Sequence, residues 1–228
     1  MSSPETVDYD PSWARRPWAR VGRIVVLGVL RFLIFLHNAP RAYGRERLAD
    51  LAGPALIASN HASHLDTPIL ITKLPRHLRR RTGVVAAADY FYRNPITAAF
   101  VTLAFATLPI ERTGITQKTR ERIDDMLADG WNLLLYPEGT RSRDGKLGRL
   151  KHGTAVLAAQ YGLPIIPAYI TGTFESHPKG SPWPTPHRVT VRFGAPIPPR
   201  TDGDHRAATV ELRRRFEELA AEAGRAEP

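Results

Sequence analysis

The stretch 55-ALIASNHASHLDTP-68 runs an apolar segment into a polar turn and then into a second apolar segment. Its two histidines and one aspartate stand too close together for a metal cage and too irregularly for one helix face. His61 and Asp66 are five residues apart, and on a continuous α-helix that spacing turns them about 140° away from each other. They meet only if His61 lies in a turn before the helix. The residues favour such a break. The strand-like run ends at Asn60, and Ser63 with Asp66 three positions later has the spacing of a capping box, with aspartate where glutamate is more usual. Strand, turn and helix in that order put His61 at the carboxyl end of a strand, where open α/β sheets hold ligands. Asp66 in the first helical turn would accept a hydrogen bond from one imidazole nitrogen, fix the tautomer and leave the other nitrogen as a base. The plainer reading keeps Asp66 as a capping acid and His61 as a turn residue. His64 reads as a surface or lining residue on the helix.

Outward from this stretch, short apolar runs alternate with helical patterns, which predicts one α/β domain with a mainly parallel central sheet flanked by helices. Strands are expected at 55–59, 84–88, 107–110, 131–136, 164–170 and 188–193. Helices are expected near 64–73, 95–105, 116–128, 151–161 and 204–223, the last two limited by Gly162 and Gly224. Pro167 falls inside a strand and suggests an edge or a bend. The proline-rich stretch SHPKGSPWPTPH, 176–187, reads as an irregular surface loop. PITAAFVTLAFA, starting at Pro95, is apolar on every face, which leaves three readings open: a buried helix, a membrane-facing one, or the lining of an apolar tunnel.

The 228 residues suffice for one sizeable core, and the excess of 32 Lys and Arg over 22 Asp and Glu favours an anionic partner. The chain contains no cysteine, which excludes disulfides, thiolate metal sites and a cysteine nucleophile and fits a reducing compartment. Residues 1–38 read as a membrane-interacting segment. VGRIVVLGVLRFLIFLH, 21–37, is shorter than the about 20 apolar residues of a spanning helix. It is interrupted by Arg23 and Arg31 and preceded by Trp13 and Trp18. It is expected to lie in the interface or dip into one leaflet, with the arginines snorkelling to phosphates. A signal peptide fits poorly, because the charged leader is long, the apolar run contains Arg31, and the nearest small-residue site, Ala39, is followed by Pro40. A buried core helix is the bland alternative.

Three more segments repeat the theme of polar residues at a strand's end. NLLLYPEGTRSRDGK, 132–146, delivers a buried-strand pattern into Glu138, Gly139, Thr140 and Arg141, where glycine permits close backbone approach and arginine offers a fork that suits phosphate. TLPIERTG, 107–114, ends a short strand at Glu111 and Arg112, and GLPIIPAYITGT, 162–173, carries Pro167. In order and spacing, NHASHLD, LPIER, YPEGTRS and LPIIPAYITG resemble the four blocks of the glycerophospholipid acyltransferase family, over roughly residues 40–195. Within that family the resemblance is nearest to bacterial 1-acylglycerol-3-phosphate acyltransferases.

The resemblance implies that 39–228 is an acyltransferase catalytic domain. It implies transfer of a fatty acyl group from coenzyme A or acyl carrier protein to a lysophospholipid acceptor, with no metal and no further cofactor. By similarity His61 and Asp66 are the catalytic pair, and Arg112, Glu138, Gly139, Thr140 and Arg141 bind the acceptor. The implied location is the cytoplasmic face of the cell membrane, peripheral or monotopic, on anionic phospholipid. This chain departs from the pattern where the second block usually has glycine and here has Ala106, often aspartate at Glu111, and where the third more often begins with Phe than Tyr136. Other readings are a relative with a different lipid or glycolipid acceptor, and a lipid hydrolase, against which stands the lack of a G-x-S-x-G elbow. A nucleic-acid partner is not expected, because no docking motif is recognisable.

Overall fold

The computed structural model describes residues 9–51, 53–111, 116–200 and 202–225. In chain order, a 3-10 turn at Ser12–Arg15 leads into α1 (Pro17–Asn38) and β1 (Arg41–Tyr43), and a second at Arg45–Leu48 precedes β2 (Leu56–Ser59). Then come α2 (Asp66–Lys73), α3 (Arg76–Arg79), β3 (Thr82–Ala87), α4 (Ala88–Phe91), α5 (Pro95–Phe105), β4 (Leu108–Ile110), α6 (Gln117–Ala128) and β5 (Asn132–Leu135). The chain continues through α7 (Gly153–Tyr161), β6 (Ile165–Thr171), α8 (Thr173–Ser176), β7 (Thr190–Phe193) and α9 (His205–Arg225).

Every residue of β2 is buried, as in a strand whose sheet is covered on both faces. Leu56 and Ala58 join one apolar cluster with Ile123, Leu157 and Phe216 of α6, α7 and α9. Ile57 joins the other, with Ile34, Ile69 and Val101 of α1, α2 and α5. Among the described residues the strands form one seven-stranded sheet in the order β1-β7-β6-β2-β5-β3-β4. β2 to β6 are parallel to one another. β7 runs antiparallel to β6, and β1 parallel to β7. The result is the mainly parallel α/β layering that the alternation of elements predicts. β1 is the strand that prediction misses, since its three residues carry no buried alternation.

Pro167 is not on an edge, because β6 lies between β2 and β7. It sits at a bulge. Ala168 pairs with Phe193 and Ile165 bridges Ile197, so three steps along β6 face four on the opposing chain. The extra residue removes the need for the amide hydrogen that proline lacks. Gly194 donates to the Pro167 carbonyl at 2.8 Å, and a side chain there would strike the proline ring.

α1 lies across α2 and α5 with Ala19, Arg23 and Ile34 turned inward. The expected snorkelling of Arg23 is therefore wrong. Its Nε donates to the Leu103 carbonyl at 2.9 Å and its Nη2 to that of Ala14 at 2.7 Å, with Trp131 beneath. Two orphan carbonyls at the ends of the preceding turn and of α5 give an inward arginine its partners. Arg31 is exposed, and beside it Trp18, Val21, Val25, Val29, Phe32 and Leu36 leave an apolar face uncovered. No helix among the described residues is long and apolar enough to cross a membrane. α5 is half-buried: Val101 and Ala104 pack inward, while Ile96 and Phe100 are exposed.

Among the described residues, two helices close on left-handed residues that are not glycine, Ala39 after α1 and Ala106 after α5. The glycine usual at the second position in the family that the motifs resemble thus has a backbone reason. At Ala106 the gain from a glycine would be offset by loss of a buried methyl. Ala39 is exposed, so Ala39→Gly should raise stability by about 0.5–1 kcal/mol, read as a higher urea midpoint at constant slope. A lowered midpoint would mean that the left-handed turn is not strained.

Candidate active site

The turn after β2 is organised by one carboxylate. Asp66, the first residue of α2, is fully buried, and its Oδ2 accepts from Nδ1 of His61 at 2.8 Å, the amide of Ala62 at 2.7 Å and the amide of Ser63 at 2.8 Å. A carboxylate only accepts, so Nδ1 carries the imidazole proton and Nε2 holds the lone pair. Half of the expected capping box forms: Asp66 reaches back to Ser63, but the Ser63 hydroxyl turns away and donates to the His177 carbonyl at 2.8 Å. The His61 ring stacks on Tyr136, centroids 3.9 Å apart, and the Tyr136 hydroxyl pairs with Thr67 at 2.7 Å.

The end of β5 clamps the same turn. Glu138, nearly buried, accepts from the amide of His61 on Oε1 and from that of Gly148 on Oε2, each at 2.8 Å. The His61 carbonyl in turn accepts from the Ser142 amide at 2.7 Å. Burial pushes the Glu138 carboxyl above its ordinary 4.5, and the two amides oppose that rise. Asn60 continues the pairing of β2 with β6 past the strand's end, donating to the Ile170 carbonyl at 2.9 Å and accepting from its amide at 2.8 Å. Backbone position at His61 is thus held from both neighbouring strands.

Beyond Glu138 the chain turns through Gly139, which has φ +70, to Thr140 and Arg141. Glycine and threonine are exposed and the arginine is half-buried. The Arg141 guanidinium lies 5.8 Å from the ring centroid of Tyr90 and donates to its hydroxyl at 3.4 Å. Tyr90 comes from α4, at the carboxyl end of β3, the neighbour of β5.

Residues 37–171 match the model of a protein family described as Acyltransferase. The chain belongs to the acyltransferase family. It is 34% identical over 146 residues to a 1-acyl-sn-glycerol-3-phosphate acyltransferase of Limnanthes douglasii, a match covering 63% of this chain and 50% of the relative. It is 33% identical over 149 residues to N-acylphosphatidylethanolamine synthase of Arabidopsis thaliana, 61% of this chain and 51% of that one. The chain thus spans about half the length of the curated relatives it matches. The fold is shared with the crystal structure of the 1-acyl-sn-glycerophosphate (LPA) acyltransferase PlsC from Thermotoga maritima, with TM-score 0.72 and 22% identity over 90% of this chain and 82% of that one.

In this member of the family, His61, Asp66, Glu138 and Arg141 gather around adjacent strand ends, while Arg112 lies outside the described residues. Glu138 faces the protein's own amides. His64 is not on α2 as expected but in the turn before it, where its Nε2 meets the Tyr90 hydroxyl at 2.9 Å. Sequence reasoning missed Tyr90, which has no motif around it, and marked Tyr136 only as a departure from the more frequent Phe of its block, not as the ring stacked on His61.

Burial, then the positive field of Arg141, lowers the His64 pKa from 6.5 to about 4. Between those values the unfolded chain takes up a proton that the folded chain refuses, so His64 contributes stability above pH 6.5 that is lost as pH falls towards 4. His64→Gln should flatten the acid limb of a plot of urea midpoint against pH. An unchanged limb would place the titration elsewhere.

Proposed function

We propose that this acyltransferase moves a fatty acyl group from an acyl thioester, on coenzyme A or acyl carrier protein, to the sn-2 hydroxyl of 1-acylglycerol-3-phosphate, giving phosphatidic acid. The observation that carries the reading is the 2.8 Å pair of His61 Nδ1 and Asp66 Oδ2 at the carboxyl end of β2, with Arg141 one strand away. Names borne by the relatives support the acceptor class. A thioester is already activated, so the demands are deprotonation, alignment and stabilisation of an oxyanion.

His61 Nε2 takes the hydroxyl proton as the oxygen attacks the thioester carbonyl. Asp66 stabilises the imidazolium. Collapse of the tetrahedral adduct breaks the carbon–sulfur bond, and the imidazolium returns its proton to the departing thiolate. No acyl-enzyme forms. Arg141 and Arg112 hold the acceptor phosphate, and the loop Gly139–Thr140 approaches it through backbone. Glu138 serves the acceptor indirectly, by keeping that loop and the His61 amide in register.

The test is transfer from a labelled long-chain acyl-coenzyme A to lysophosphatidic acid, wild type beside His61→Ala, with product and free fatty acid separated. Turnover should fall by roughly a hundredfold to ten-thousandfold, the usual share of a general base. Near-wild-type turnover would defeat the assignment of His61. Free fatty acid without acceptor product would point to hydrolysis. Formation of an N-acylphosphatidylethanolamine, the product in the name of the Arabidopsis relative, would move the acceptor while keeping the base.

The reading includes a bilayer contact, peripheral or monotopic, on anionic phospholipid at the cytoplasmic face. What supports it is the uncovered apolar face of α1. Asn38 at its end bonds Ser176 and the His187 carbonyl, so that face leads towards the end of the sheet that holds His61. Deleting 1–38 would strip the core as well, so the surface is tested by Val29→Glu with Phe32→Glu, both outward residues. The double variant should no longer cosediment with vesicles containing phosphatidylglycerol. Undiminished cosedimentation would move the contact elsewhere.

A further inference from the structure

Tyr90 belongs to none of the motif blocks, yet it touches two of their residues. Its ring packs edge-on against Phe91 at 4.8 Å between centroids and tilts against His64 at 5.5 Å. Its hydroxyl lies 2.9 Å from His64 Nε2 and 3.4 Å from Arg141 Nη2. A guanidinium can only donate, so the phenol oxygen accepts from Arg141 and its own hydrogen stays available for His64 Nε2. Burial and the positive field of Arg141 disfavour a charged His64 beside it.

We propose that Tyr90 is a positioning residue for the acceptor phosphate: through its ring and its hydroxyl, held by His64, it presets the guanidinium plane of Arg141. This inference rests on the reading of Arg141 as a phosphate anchor. An arginine free to sample its rotamers must be ordered when the ligand arrives, whereas one already stacked and hydrogen-bonded loses less freedom for each bond it then makes. The aryl ring also leaves the outer edge of the guanidinium for a bidentate contact with two phosphate oxygens. Tyr90 is itself half-exposed, so its hydroxyl is not part of the apolar core and Tyr90→Phe keeps the ring without opening a cavity.

The experiment is a kinetic double-mutant cycle on the full chain, with lysophosphatidic acid varied at saturating acyl-coenzyme A and the donor then varied at saturating acceptor. Wild type, Tyr90→Phe, Arg141→Ala and the double variant are compared. Loss of one long, exposed hydrogen bond, in the range of an ordinary one, should raise the acceptor KM of Tyr90→Phe about three- to tenfold. Its kcat and donor KM should stay within about twofold, because a preset anchor serves ground and transition states alike. In the Arg141→Ala background the same change should do nothing further, since the tyrosine acts only through that arginine. An unchanged acceptor KM in Tyr90→Phe, beside a raised one in Arg141→Ala, overturns the inference and leaves the anchor standing. Additive effects in the double variant overturn it too, by giving Tyr90 its own contact with substrate. An Arg141→Ala variant with unchanged acceptor KM overturns the anchor itself, and this inference with it.

Discussion

A carboxylate at the start of a helix and wholly out of water needs donors, and the turn after β2 exists in its observed form because Asp66 draws three of them to its Oδ2. Burying an ionised carboxyl without partners costs far more than a turn can supply. Three donors on three consecutive residues, His61, Ala62 and Ser63, converge on one oxygen. Two are backbone amides and fix the loop's path. The third is an imidazole, whose tautomer and direction are thereby set. The constraint that folds the turn is also the one that leaves Nε2 as a base.

The same economy recurs with Glu138. Its two oxygens are taken by amides ten residues beyond it and in the turn that follows the neighbouring strand, so its contribution is to hold loops together. Sheet order then decides which side chains meet. β6, β2, β5 and β3 lie side by side, and their carboxyl ends bring His177, His61, Arg141 and Tyr90 into one row although the first and last are far apart in sequence. A parallel sheet achieves this because every crossover returns the chain to the same end.

What could be read from residues alone was what is local. The strand, the break at Asn60 and the acid in the first helical turn show in the stretch 55–68 because apolar runs and capping spacing are short-range signals. Arg23 was misread because hydropathy cannot tell an inward arginine that meets two carbonyls from an outward one that meets lipid phosphate. Pro167 was legible as a bend, but its bulge depends on one extra residue in the opposing segment, which no pattern within β6 reveals. Tyr90 was invisible because its value arises only when β3 lies beside β5. The departure at Ala106 was noticed, and its cost became clear only with the left-handed backbone there.

Magnitudes bear on which of these features matters most for the proposed reaction. A general base supplies a factor of about 10²–10⁴, while holding two reactants in line can be worth roughly 10⁵–10⁸ in effective molarity. His61 therefore accounts for the smaller share of any large acceleration. The larger share must come from groups that hold the acceptor hydroxyl still against the thioester carbon. In the proposed reaction the Gly139–Arg141 loop, stiffened by Glu138 through two amides and by Tyr90 with His64 from the next strand, would set how tightly the acceptor is held, and His61 would act on the hydroxyl of the acceptor so held.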